Sequence, residues 1–79
     1  MRKSRVGKYL IVDPDICHGQ LTFVGTRIPV QSVLTFLKTG YSMDQLLAEW
    51  PELRREAVEE AMELAAEALL ERYLPALIP

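Results

Sequence analysis

Cys17 and His18 stand side by side and are the only cysteine and the only histidine among the 79 residues. A zinc centre needs three or four Cys, His or carboxylate ligands converging on one point, and one thiol beside one imidazole does not supply them. As a nucleophile and base the pair is disfavoured too: on a strand the two side chains would point to opposite faces, and a loop position tolerates both without a role. Gly19 and Gly25 lack the spacing, and the following Lys-Ser/Thr, of a phosphate-cradling loop. Glu56, Glu60, Glu63, Glu67 and Glu71 recur at four, three, four and four residues and share one helical edge. An exposed acidic edge without a cleft has nothing to tune two of its members into an acid–base pair. The residue types therefore predict a protein that is not an enzyme and uses neither metal nor cofactor.

What remains is recognition by charge and by apolar surface. Net charge is −2, but residues 1–40 carry +4 and residues 41–79 carry −6. The basic half can attract phosphate, and the acidic half suits a basic partner protein. Arg2, Lys3, Arg5 and Lys8 form a basic N-terminal stretch read as a flexible arm over residues 1–8. Arg27 is the one charged residue in Val24-Gly25-Thr26-Arg27-Ile28-Pro29-Val30, free either to pair with Asp13 or Asp15 or to meet an outside anion. Arg54 and Arg55 either balance Glu52 and Glu59 or reach outward from the start of the last helix.

The elements that hold these groups are short. Tyr9–Val12 and Leu21–Val24 read as β-leaning runs, separated by the Asp13-Pro14-Asp15 turn and a Cys17–Gln20 loop. Gly25 can take the positive φ of a tight turn, and Pro29 presets a first helical turn. Val30, Val33, Leu34 and Leu37 then share one helical face, with Gly40 beyond the end as C′. Ser42 and Gln45 form a capping box for a second helix, with Tyr41 stapled to Leu46. That helix ends before Trp50-Pro51, where Trp50 is expected to anchor the core. A third helix starts within residues 52–55 and runs to Tyr73, with Val58, Ala61, Met62, Ala65, Leu69 and Tyr73 as its apolar stripe. Pro75 is expected to stop it and to leave an apolar tail over residues 75–79. No apolar stretch approaches the roughly 20 residues of a membrane span, and nothing resembles an export signal, so the expectation is a cytoplasmic protein with no membrane contact.

Four of these elements together resemble the family of unknown function called DUF433. They are Ile16-Cys17-His18-Gly19, Gly25-Thr26-Arg27-Ile28-Pro29-Val30, Gly40-Tyr41-Ser42 and Trp50-Pro51-Glu52-Leu53. The resemblance implies a mainly α, three-helix helix-turn-helix domain over residues 9–74, homeodomain-like or winged, with a short β element in front. It also implies an antitoxin of a type II toxin–antitoxin pair, binding a PIN-like toxin and its own operator DNA. Two residues depart from the pattern: His18 replaces a glycine, and Arg54 replaces a Ser or Thr cap.

Two functions follow as expectations. In the first, double-stranded DNA is gripped by Arg2, Lys3, Arg5, Lys8, Arg27, Arg54 and Arg55. Only the first turn of the last helix reaches the duplex, since its acidic edge would repel the backbone. In the second, the chain is a protein-interaction module without DNA binding. Leu69, Tyr73, Leu74, Leu77 and Ile78 then contact either a toxin or a second copy in a homodimer.

Overall fold

Residues 4–6, expected to lie in a flexible arm, are a strand. The computed structural model describes the backbone of residues 2–77 and the side chains of residues 2–73. Strands β1 (Ser4–Val6), β2 (Leu10–Val12) and β3 (Leu21–Phe23) form an antiparallel sheet in the order β1-β2-β3. Helices α1 (Val30–Lys38), α2 (Met43–Glu49) and α3 (Arg55–Leu77) follow. The fold is α+β, and this overturns the expectation of a mainly α, homeodomain-like or winged helix-turn-helix domain. The charges in Arg2-Lys3-Ser4-Arg5 hid the strand, because only one face of β1 is apolar. Val6 pairs with Leu10 on the helix side of the sheet, and Arg5 pairs with Ile11 on the opposite side.

Register also places Leu10 opposite Phe23, and both are almost fully buried. Val33 of α1, Leu46 of α2 and Val58 of α3 close the core over them, each with no exposed surface. The sheet is thus one wall and the three helices the other, the arrangement that lets a short three-stranded sheet persist in water.

Local chemistry fixes each helix end. Pro29 is the residue before α1, extended at ψ 138, and it bridges to Thr22 of β3. The C-terminal end of α1 is a Schellman turn: Gly40 has φ +108, its amide donates to the Leu37 carbonyl, and the Tyr41 amide donates to the Phe36 carbonyl. Tyr41 then packs against Phe36, with ring centroids 4.7 Å apart and the planes inclined by 58°. The expected capping box is present, with Ser42 Oγ accepting from the Gln45 amide and Gln45 Oε1 from the Ser42 amide. Trp50 follows α2 and packs against the core and the Phe36 ring.

α3 differs from expectation in two ways. It continues past Pro75 to Leu77, because a missing amide in the last turn forfeits one hydrogen bond of a helix already five turns long. Its apolar stripe also divides. Ala57, Val58 and Ala61 enter the core, while Met62, Leu69 and Tyr73 remain exposed.

Candidate interaction surfaces

The junction between β3 and α1 is held by hydrogen bonds to its own backbone groups, from that backbone, from Thr26 and from Cys17. The Thr26 amide donates to the Phe23 carbonyl across a turn whose third residue, Gly25, has φ +79, as a type II turn requires. Thr26 Oγ1 donates to the same carbonyl at 2.9 Å and accepts from the Ile28 amide at 3.0 Å. Phe23 in turn donates its amide to the Ile28 carbonyl. Ile28 is thereby driven into the core. The Cys17 thiol donates to the Arg27 carbonyl at 3.2 Å, so the one cysteine acts on the junction backbone. Cys17 and His18 both have positive φ, 50° and 57°. His18 adopts the left-handed conformation that a glycine would take there, at a cost of about 1–2 kcal/mol. The Arg27 side chain is exposed and has no ion pair among the described residues. Asp13, one of its two expected partners, is buried and pairs with Lys3 at 3.7 Å.

At the opposite end of β1 the hairpin turn is gripped by α3. The Glu60 carboxylate accepts from the Lys8 amide at 3.0 and 2.9 Å and from the Tyr9 amide at 2.7 Å. Gly7 is the residue that lets it approach: φ is +64, and a Cβ there would come within 2.8 Å of the carboxylate. Glu60 was expected on the solvent-facing acidic edge, but it turns toward the sheet. Nothing in the four-and-three spacing of the glutamates distinguishes it. Lys8 Nζ and the Arg54 guanidinium lie 5.3 and 5.4 Å from the centroid of the Tyr9 ring.

The seven expected DNA-contacting residues are therefore divided. Lys8 and Arg54 meet on Tyr9, and Arg54 also pairs with Glu56 at 3.3 Å. Arg55 turns to α2 and bonds Asp44 at 2.8 Å. Lys3 is tied to Asp13, and Arg5 faces away from the helices. Arg2 is exposed ahead of β1, and Arg27 stands on the β3–α1 junction.

The larger unpartnered surface lies on α3. Met62, Leu69, Leu70 and Tyr73 are 45, 59, 54 and 48% exposed. Met62, Ala66, Leu69 and Tyr73 are spaced four, three and four residues apart and make one uncharged stripe. Leu70 belongs to another face, three residues after Glu67 and seven after Glu63. A third face of α3, through Leu64, Ala65 and Ala68, borders an apolar groove of about 280 Å³ whose other wall includes Leu10, Leu21 and Leu34. Of the five residues expected to contact a partner, Leu69 and Tyr73 are exposed; the side chains of Leu74 and Leu77, and Ile78 entirely, lie outside the described residues. Met62, expected in the apolar stripe, and Leu70 were not among the expected partner contacts, although the four-three-four spacing from Met62 is legible in the sequence.

Known proteins share this architecture. A crystal structure of a DUF433 member protein from Anabaena variabilis superposes with a TM-score of 0.70 at 25% identity, covering 87% of this chain and 70% of that one. RV2018 from Mycobacterium tuberculosis shares the fold, with a TM-score of 0.60 at 23% identity over 67% of this chain and 24% of its own. The uncharacterized protein y4eO of Sinorhizobium fredii is 38% identical over 45 residues, which is 57% of this chain but only 20% of that protein. This chain thus spans about a fifth of that relative's length. Residues 11–65, which hold the junction, the Schellman turn, the capping box and the first half of α3, match the family described as protein of unknown function DUF433, and the chain belongs to that family.

Proposed function

We propose that this chain is the protein-binding module of an antitoxin-like regulator, self-associating through α3 and presenting the acidic face of that helix to a basic partner such as a PIN-like ribonuclease. The observation that carries the reading is Leu70, 54% exposed on a helix face that also holds Glu63 and Glu67. An apolar anchor ringed by carboxylates suits a cationic surface, such as one that otherwise binds RNA. Of the two expected functions the protein-interaction reading has the stronger support. Helix insertion into a DNA groove was expected from a mainly α helix-turn-helix fold that the α+β architecture overturns, and Lys3, Arg54 and Arg55 each have an acid at hand in Asp13, Glu56 and Asp44.

The test is co-expression with a PIN-like ribonuclease encoded beside this chain, followed by co-purification and an RNA-cleavage assay. The complex should form, cleavage should be suppressed, and Leu70→Glu should weaken the complex at least tenfold. Unsuppressed cleavage by the wild-type mixture, or an unchanged affinity for the Leu70→Glu variant, would remove the reading.

A further inference from the structure

Four of the six large apolar side chains exposed among the described residues, Met62, Leu69, Leu70 and Tyr73, lie on α3. Surface of this kind concentrated on one helix indicates an occupant rather than chance exposure.

Charge decides which occupant fits which face. Glu59, Glu63 and Glu67 stand on the side of α3 away from the core, and a two-fold related copy placed there would bring like charges together. The Met62–Ala66–Leu69–Tyr73 stripe holds no carboxylate, the one charge against it being the Arg72 guanidinium 5.5 Å from the Tyr73 ring centroid, and its four-three-four spacing is that of a coiled-coil seam, extending about 16 Å along the helix. Ala66 leaves room beside three large side chains, as knobs-into-holes packing needs. We infer that a second copy of this chain occupies this seam, α3 against α3, while the face bearing Leu70 stays outward. The inference rests on the self-association in the reading above and separates it from partner binding: two faces of one helix serve two occupants.

Light scattering on the purified full chain at about 100 µM should give twice the 9.0 kDa monomer mass. Leu69→Glu should raise the dimer dissociation constant at least 100-fold, and Tyr73→Glu should do the same through a different side chain. Leu70→Glu should change it less than threefold. Circular dichroism of each variant should match wild type, since all three positions are exposed in the monomer. A monomeric wild type would overturn the inference together with the self-association part of the functional reading. A wild-type dimer that survives both Leu69→Glu and Tyr73→Glu would overturn the seam alone, and one dissociated by Leu70→Glu as readily as by Leu69→Glu would overturn the division of faces. Failure to bind the ribonuclease leaves each of these outcomes unchanged.

Discussion

The β3–α1 junction and the distal half of α3 use their residues in opposite ways. In the junction every unusual residue but the exposed Arg27 answers an internal need: Gly25 supplies the turn, Thr26 satisfies two backbone groups, and Pro29 bridges the sheet before the helix starts. On α3 the exposed leucines lie outside the core, and Tyr73 has only the neighbouring Arg72 guanidinium, 5.5 Å from its ring centroid, against it among the described residues. A recognisable motif is therefore not evidence of a functional site. The Gly-Thr-Arg-Ile-Pro string is distinctive because a sharp turn, a buried isoleucine and a helix start must fit within a few residues. The less distinctive helix has the free surface.

The comparison is sharpest at Phe23, where β3 enters the junction. Its side chain is 1% exposed, and its carbonyl accepts from both the amide and the hydroxyl of Thr26. Phe23→Ala should cost about 3–5 kcal/mol, which approaches the whole stability of a domain this small and would leave much of the chain unfolded in urea titrations at room temperature. Thr26→Val comes next. It keeps the shape but strips the hydroxyl that accepts from the Ile28 amide, for a loss of about 1–3 kcal/mol. Thr26→Ser, which keeps the hydroxyl, should lie much closer to wild type. If Val and Ser proved equally damaging, the junction would owe its shape to something other than this hydrogen bond. Gly7→Ala probes the β1–β2 hairpin, which lies beside the junction at the same end of the sheet, where the Val24 amide donates to the Tyr9 carbonyl. A φ of +64 alone costs about 1–2 kcal/mol in a residue with a side chain, and the added Cβ must also displace the Glu60 carboxylate. Combining it with Glu60→Ala should therefore give less than the sum of the two single losses, measured as a double-mutant cycle.

These sites also show what could be read from the residues alone. The capping box, the glycine after α1, the turn at Gly25 and the start of α1 were legible because each depends on two or three neighbouring residues with narrow backbone or hydrogen-bonding roles. Strand β1 was not, because three residues with one arginine carry too little alternation to separate a strand from a charged terminus. Its existence depends on a register with β2 that no local pattern encodes. Glu60 was misread for a related reason. Its four-and-three spacing matches that of the solvent-facing glutamates, and only the nearby hairpin, more than fifty residues earlier in the chain, gives it inward partners. The apolar stripe of α3 is legible in the sequence, but where along it the core ends is not, although Leu69 and Tyr73 were expected as partner contacts. Periodicity reports that a face is apolar, not whether the same chain covers it. The sheet and α1 reach Val58 and Ala61, and the helix then runs on beyond them.

The smallest expected change in stability falls at Leu70. A leucine that is more than half exposed on a helix contributes little to the fold, and replacing it by glutamate adds one more charge near Glu67 and Glu63, worth a few tenths of a kcal/mol of repulsion. The unfolding midpoint of Leu70→Glu should therefore correspond to a change within about 0.5 kcal/mol of wild type, an order of magnitude less than the loss at Phe23. The contrast with Phe23 depends on this result. A loss of 2 kcal/mol or more at Leu70 would mean that the distal helix packs against its own domain, and the distinction between a junction whose residues serve the fold and a helix that faces outward would no longer hold. A neutral result paired with lost ribonuclease binding would place this leucine's role entirely outside the chain that carries it.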